Sequence, residues 1–179
     1  WTWVIDPTYV LLKHPRLADK LRQLTDDGFE VGLHGSFLSA VDEHLMMQEK
    51  GVLENVLKRP VTKVRQHWLR FNEHTTPHIH NKLFQYDSTL GWNDRVGFRN
   101  GCASLFHPYD HHNERAFDYL EIPMVIMDFN IYQSLGVENI NFVSRVLRIL
   151  DDLKSYKSVH MAVSWHQQVC NSDYEWHKT

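Results

Sequence analysis

Short apolar segments alternate with amphipathic segments along most of this chain, and this alternation restricts its fold more than any other feature. Runs typical of strands occupy 1–5, 29–34, 61–69, 86–89, 119–128 and 158–166. Apolar residues at helical spacing predict helices over 15–28, 40–57, 75–85 and 137–156. Strands that alternate with helices favour an α/β fold with a mainly parallel sheet.

Composition and charge exclude several classes of protein. The chain has 179 residues, of which 42% are hydrophobic, so it is long and apolar enough to build one domain with its own core. The net charge is −3 and the lysines and arginines are scattered, which leaves no electrostatic footprint for nucleic acid. The longest apolar run, at 122–127, is too short to span a bilayer. We therefore expect a single domain without a nucleic-acid partner and without a membrane span.

Cysteine usage gives a weak indication of location. Cys102 and Cys170 lie far apart, show no metal-ligand spacing and are too few for a disulfide framework. This pattern favours a reducing compartment, and no signal peptide is visible. A cytoplasmic location is therefore favoured, although the chain opens on Trp1 and localisation is otherwise left open.

Histidine and aspartate side chains follow the predicted strands. The five positions are His34, His67, Asp87, Asp128 and His166. Functional side chains of α/β barrels gather at the carboxyl ends of the strands, so these groups would converge on one site if the strands are neighbours. For His34 taken alone, a hydrogen-bonded core histidine is the simpler interpretation.

Five blocks of sequence extend this interpretation because they occur together and in order. They are GFEVGLHGSFLS at 28–39, VRQHWLRF at 64–71, YDSTLGWNDRVGFRNGCASLFHPYD at 86–110, LEIPMVIMD at 120–128 and SWHQQVCNSDYEW at 164–176. As an ordered set they resemble the polysaccharide deacetylase family, in a divergent branch. The resemblance implies a distorted (β/α) barrel. It also implies a metal-dependent hydrolase that removes N- or O-acetyl groups from a polysaccharide or amino sugar.

The resemblance implies that one aspartate and two histidines hold a divalent metal, a ligand set suited to Zn and also to Fe, Co or Ni. His34 matches the first histidine. His67 is the candidate for the second, because Leu38 stands where the common motif has its second histidine. The histidine-rich run at 107–114 looks like a metal cluster, but its adjacent histidines His111 and His112 lie in a predicted loop. Neighbouring side chains of an extended loop diverge, so this run is not interpreted as a metal site.

The resemblance also implies catalytic roles. His166 matches a late histidine that acts as general acid toward the departing amine or alkoxide. Arg65 or Arg99, together with Asp87, matches a supporting network that orients the catalytic groups. Trp92 is expected to line one side of this network.

Other interpretations stay open for several of these residues. Asp87 could simply turn the chain through Asp-Ser-Thr, and Asp128 is interpreted as structural. Trp165 could stack on a sugar ring of the substrate or pack against the protein. His78 and His80 are interpreted as surface residues at a helix end.

One motif of the family is not found. It is a pair of aspartates at the end of the first strand, which supplies the catalytic base and the third metal ligand. Asp6 aligns better with the second strand of the barrel, and Asp26 and Asp27 are interpreted as a solvated helix end. We therefore expect an N-terminally incomplete domain that lacks the first strand of its barrel.

Three hypotheses for function follow. The first is a metal-dependent carbohydrate deacetylase with an oligosaccharide or polysaccharide partner. The second is a non-catalytic carbohydrate-binding remnant of the same fold, which keeps the groove and lacks the base. The third, a metal amidohydrolase of another barrel family, would require a third histidine or a lysine near the first two.

Overall fold

The computed structural model describes residues 14–130 and 141–172. The chain divides into two compact units, one formed by residues 1–87 and 107–120 and the other by residues 88–106 and 121–179. The predicted strand at 1–5 and Asp6 lie outside the described residues. The number of domains remains a prediction, and each unit is considered by itself below.

Three helices of the first unit form where apolar spacing predicts them, and their ends have local causes. Gly28 has a φ of 92°, a left-handed conformation that ends the first helix. The Asp42 carboxylate accepts a hydrogen bond of 3.0 Å from the Leu45 N–H and so caps the second. The helices are α1 (Pro15–Asp26), α2 (Glu43–Leu57) and α3 (Thr76–Leu83).

Short parallel strands form the sheet of the first unit. They are β1 (Leu33–Gly35), β2 (Lys63–Gln66) and β3 (Tyr86–Asp87). His34 pairs with Arg65 across β1 and β2, and Val64 pairs with Asp87 across β2 and β3. A small antiparallel hairpin, β4 (Tyr109–Asp110) with β5 (Arg115–Ala116), belongs to the same unit. Parallel pairing brings the carboxyl ends of β1 and β2 to one edge of the sheet.

The core of the first unit lies between this sheet and its helices. Leu33 of β1 and Val64 of β2 pack against several residues of the helices. This packing holds the short strands in place. The buried members of the cluster are Leu33, Met46, Leu53, Leu57, Val61, Val64, Ile79 and Phe84.

Gly35 allows β1 and β2 to approach closely. A Cβ atom at this position would lie 2.6 Å from the Gln66 Oε1 atom and 3.0 Å from the Ser39 Oγ atom. Both neighbours are themselves fully buried, so neither can move aside freely. We expect Gly35→Ala to lower the free energy of unfolding by about 1–3 kcal/mol through overpacking. Equilibrium unfolding in urea measures this change.

Gly51 is the matched control, since nothing lies within 4 Å of a Cβ built there in the exposed face of α2. Gly51→Ala is expected to raise the free energy of unfolding by about 0.5–1 kcal/mol, because alanine loses less backbone entropy in a helix. The same sign for both variants would contradict the close approach at Gly35.

The second unit contains a separate pair of parallel strands. They are β7 (Met124–Met127) and β8 (Ala162–Ser164). A short strand, β6 (Leu120–Glu121), comes before them in the sequence, at the boundary between the two units. Helix α4 (Asn141–Leu153) supplies Val146 and Ile149 to a cluster around Val125 and Ile126. The four residues of β7 are all buried, which explains their continuous apolar sequence.

The strands are shorter than their apolar runs predict. The run at 119–128 forms two strands because Pro123, which has no N–H, interrupts it. The run at 61–69 ends as a strand at Gln66 and continues as a 3₁₀ turn, His67–Leu69. The α/β class with parallel sheets is confirmed. Within the described ranges no barrel is seen to close, and the missing first strand remains a prediction. None of the helices described here is long and apolar enough to cross a membrane.

Candidate active site

The structure brings His34 and His67 together. Their strands are neighbours, and the two ring centroids lie 5.3 Å apart with the ring planes inclined by 68°. The His34 Nδ1 atom lies 3.1 Å from the carbonyl oxygen of Arg65. Because a carbonyl oxygen can only accept, Nδ1 carries the hydrogen and the lone pair of the neutral ring lies on Nε2.

This arrangement fits the divalent ion that the resemblance implies. A metal-ligating histidine usually donates its other ring N–H to a carbonyl or carboxylate, as His34 does. Two imidazoles that share one tetrahedral Zn²⁺, with Zn–N bonds of about 2.0–2.1 Å, have ring centres about 5 Å apart. Over residues 14–130 and 141–172, no group of three histidine, cysteine, aspartate or glutamate side chains is placed to hold a metal. The described residues therefore offer the two imidazoles as candidate ligands and no third side chain beside them.

His67 begins a strained turn directly after β2. Trp68 and Leu69 have φ angles of 58° and 49°, which are uncommon for residues other than glycine. Arg70 closes the turn: its guanidinium stacks over the Phe37 ring at 4.1 Å and donates to the Phe37 carbonyl oxygen at 2.7 Å. Such conformations persist only where the surrounding structure holds them.

Asp87 lies at the end of β3 and is buried with a histidine. Its Oδ2 atom accepts a hydrogen bond of 2.8 Å from His80 Nδ1, and both side chains are fully buried. The interpretation of His80 as a surface residue is therefore wrong. The ring lies among Phe71, Phe84 and Tyr119 on the inner face of α3. Its spacing from buried Ile79 and from Leu83 could have indicated this, since all three lie on one helix face. His78, by contrast, is about half exposed.

Trp92 and Arg99 lie together in the second unit. The Arg99 guanidinium lies 5.8 Å from the Trp92 ring centroid, and that of Arg95 lies 5.0 Å from it. The Trp92 carbonyl oxygen accepts a hydrogen bond of 2.8 Å from the buried Asn130 side chain. Arg65 belongs to β2 of the first unit, where its backbone oxygen supports His34. The catalytic roles predicted for the two arginines remain predictions.

Asp128 and His166 form an aspartate–histidine couple. His166 Nδ1 and the His166 backbone N–H both donate to the Asp128 carboxylate, each at 2.7 Å, and the Phe129 N–H donates to it at the same distance. Asp128 is 1% exposed and the His166 side chain 42% exposed. The buried carboxylate thus orients the imidazole and places a hydrogen on its Nδ1 atom.

The sequence places Asp128 at a strand end, where it was interpreted as structural, and its contact with His166 follows from the pairing of β7 with β8. Met127 pairs with Ser164 across β7 and β8, so the residues that follow these strands must be near one another. Trp165, beside His166, is 47% exposed, as a sugar-stacking residue would need to be.

A cavity of about 350 Å³ lies in the first unit beside the histidine-rich loop. Asp110 shapes this loop by accepting hydrogen bonds from the backbone N–H groups of His112 and Asn113. The Asn113 side chain also donates to it, and this bond, partly opposed by desolvation, holds the pKa of Asp110 below its ordinary value. The residues that line the cavity are Glu73, His74, His78, Tyr109, Asp110, His111, His112 and Phe117.

Comparison with solved structures identifies proteins of the same fold. The PuuE allantoinase matches with a TM-score of 0.60 and 14% identity over 93% of this chain and 55% of its own. A protein assigned as a polysaccharide deacetylase from Mycobacterium smegmatis matches with a TM-score of 0.57 and 17% identity, over 88% of this chain and 55% of its own. A second protein assigned as a polysaccharide deacetylase, from Pseudomonas aeruginosa PAO1, matches with a TM-score of 0.51 and 16% identity, over 87% of this chain and 52% of its own.

These matches concern the fold, because the identities are low. The chain spans about half the length of each of these three structures. No family model and no curated protein matches the sequence. The chain thus has the fold that the polysaccharide deacetylases share with the allantoinase, as the ordered sequence blocks predict.

Proposed function

We propose that this chain carries a metal-dependent hydrolase function of the polysaccharide deacetylase type. The observation that carries the proposal is the pair of imidazoles of His34, in β1, and His67, directly after the neighbouring parallel strand β2, whose ring centroids lie 5.3 Å apart. The pair lies within a fold shared with an allantoinase and deacetylases. This shared fold favours a catalytic role for the two histidines over simple packing.

In this proposal His34 and His67 hold a divalent ion, for which Zn²⁺ is the first choice and Fe, Co or Ni are alternatives. When bound, the ion would polarise an acetyl carbonyl and make a bound water acidic. The Arg65 carbonyl keeps the His34 lone pair on Nε2, so the ring is in the tautomer that ligation through that atom requires.

His166 acts as the general acid in this proposal. Its Nε2–H donates a proton to the departing nitrogen or oxygen as the bond to the acetyl carbon breaks. The Asp128 carboxylate keeps the ring oriented through Nδ1 and balances the positive charge of the protonated ring. The proposed substrate is an acetylated polysaccharide or amino sugar, and exposed Trp165 offers a flat apolar surface to a sugar ring.

Metal analysis tests the ligand assignment. We expect the purified protein to bind one equivalent of Zn²⁺, and His34→Ala and His67→Ala each to lose it, because one remaining imidazole is a weak ligand by itself. Inductively coupled plasma mass spectrometry and titration calorimetry measure the bound metal.

His111→Ala is the matched control, since His111 is an exposed histidine of the same unit and should leave the metal content unchanged. Equal metal content in all four proteins would refute the ligand pair. Acetate release from acetylated chito-oligosaccharides separates an enzyme from a non-catalytic carbohydrate-binding remnant. Binding of the oligosaccharide without acetate release would support the remnant and contradict the proposed function.

A further inference from the structure

A chain of hydrogen bonds with no exposed member leads from Asp87 to the end of β2. Asp87 and His80 are joined at 2.8 Å, and the His80 Nε2 atom lies 2.9 Å from the Gln66 Nε2 atom. On the far side of the amide, Gln66 Oε1 lies 3.4 Å from the Ser39 Oγ atom. Gln66, His80 and Ser39 are 0% exposed and Asp87 is 1% exposed.

The chemistry of the groups determines the direction of each bond. The buried carboxylate can only accept while ionised, so His80 Nδ1 carries the hydrogen and His80 Nε2 carries the lone pair. The Gln66 amide must then present its NH₂ group to His80 and its oxygen to Ser39, which is the orientation observed. The two links from Asp87 to Gln66 therefore each pair a donor with an acceptor, and such a buried arrangement favours one orientation of the side chains. The contact with Ser39 is weaker, because the one hydroxyl hydrogen of Ser39 also faces the Ser36 carbonyl oxygen at 2.9 Å.

Gln66 is the residue immediately before His67. The backbone after it enters the turn in which Trp68 and Leu69 are left-handed, a conformation that must be held from both sides. Arg70 holds the far side through Phe37. On the near side, the Gln66 side chain is hydrogen-bonded to His80 and lies directly against the backbone of Gly35.

We infer that Asp87, His80 and Gln66 form a positioning relay that sets the place of the His67 ring beside His34. Asp87 orients His80, His80 holds the Gln66 amide, and Gln66 fixes the strand end from which His67 projects. These three are positioning residues, because none of them is exposed to a substrate. The inference rests on the proposed function only in treating His67 as a metal ligand.

The test uses nuclear Overhauser contacts between the imidazole protons of His34 and His67 in the metal-free protein. The wild type is expected to show the contact, since the ring centroids are 5.3 Å apart. Gln66→Met keeps the length of the side chain and removes its hydrogen bond to His80. His80→Asn keeps a donor for Asp87 and removes the acceptor for Gln66. Both variants are expected to lose the contact.

Ile79→Val is the control, because Ile79 is buried in the same helix and takes no part in the relay. It is expected to lower stability modestly and to keep the contact. Persistence of the contact in folded Gln66→Met or folded His80→Asn would overturn the inference. Loss of the contact in Ile79→Val would do the same, since any weakening of the core would then suffice.

Metal binding separates this inference from the proposed function. If His67 is a ligand, both relay variants should weaken Zn²⁺ binding by about 10- to 100-fold, the range seen for residues that orient metal ligands. A wild type that binds no Zn²⁺ but shows a relay-dependent contact would refute the proposed ligand pair and leave the relay supported.

Discussion

Replacing His166 with alanine is expected to lower the turnover number for acetate release by about 10²- to 10⁴-fold, the usual contribution of a positioned general acid. The expectation depends on the couple with Asp128, whose carboxylate receives both the Nδ1–H and the backbone N–H of His166 at 2.7 Å. A ring held at two points presents Nε2 in a constant direction. Steady-state kinetics with an acetylated chito-oligosaccharide measure the change.

A substrate with a good leaving group distinguishes an acid from a structural residue. A phenolate leaves without a proton, so His166→Ala should affect hydrolysis of 4-nitrophenyl acetate much less than hydrolysis of the sugar amide. Asp128→Asn should follow the same pattern, because the two His166 donors bind different oxygens of Asp128 and an amide replaces one of those oxygens with an NH₂ group. His160→Ala, an exposed histidine of the same unit, is the control. Equal losses with both substrates would argue against the acid role.

Replacing His80 with leucine is expected to lower the free energy of unfolding by about 3–5 kcal/mol, because the buried Asp87 carboxylate loses the hydrogen bond from His80. The Asp87 carboxylate is 1% exposed, and the change removes a hydrogen bond of 2.8 Å from it. The Gln66 amide loses its acceptor at the same time. Urea unfolding followed by circular dichroism measures the difference.

His78→Leu is the matched control, because His78 lies two residues away on α3 and is about half exposed. It should change stability by less than about 1 kcal/mol. The double variant His80→Leu with Asp87→Leu should recover part of the loss, since apolar groups can replace both partners of a buried pair. A loss in His80→Leu no larger than that in His78→Leu would show that the buried pair does not stabilise the fold.

Much of the local structure could be predicted from the order of the residues. The helices α1 and α2 are found within their predicted ranges, because apolar spacing, an N-cap at Asp42 and a left-handed stop at Gly28 are all local signals. The strand lengths were overestimated, since an apolar run does not show where pairing with a neighbour ends.

The candidate site was predicted in part. The sequence blocks singled out His34, His67 and His166 at strand ends, and the structure places the first two side by side. The sequence did not reveal that Asp128 is hydrogen-bonded to His166, or that His80 is buried against Asp87. Both pairs join segments whose meeting depends on which strands and helices are neighbours.

By itself, then, the sequence determined the α/β class, the helices and the residue types that end the strands, because periodicity and capping act over a few residues. Only the tertiary structure decided which of those side chains touch. The parallel register of β1 with β2, and of β7 with β8, brings residues 33 and 38 positions apart into contact, as in His34 with His67 and Asp128 with His166. Such contacts are long-range packing events that no local pattern encodes.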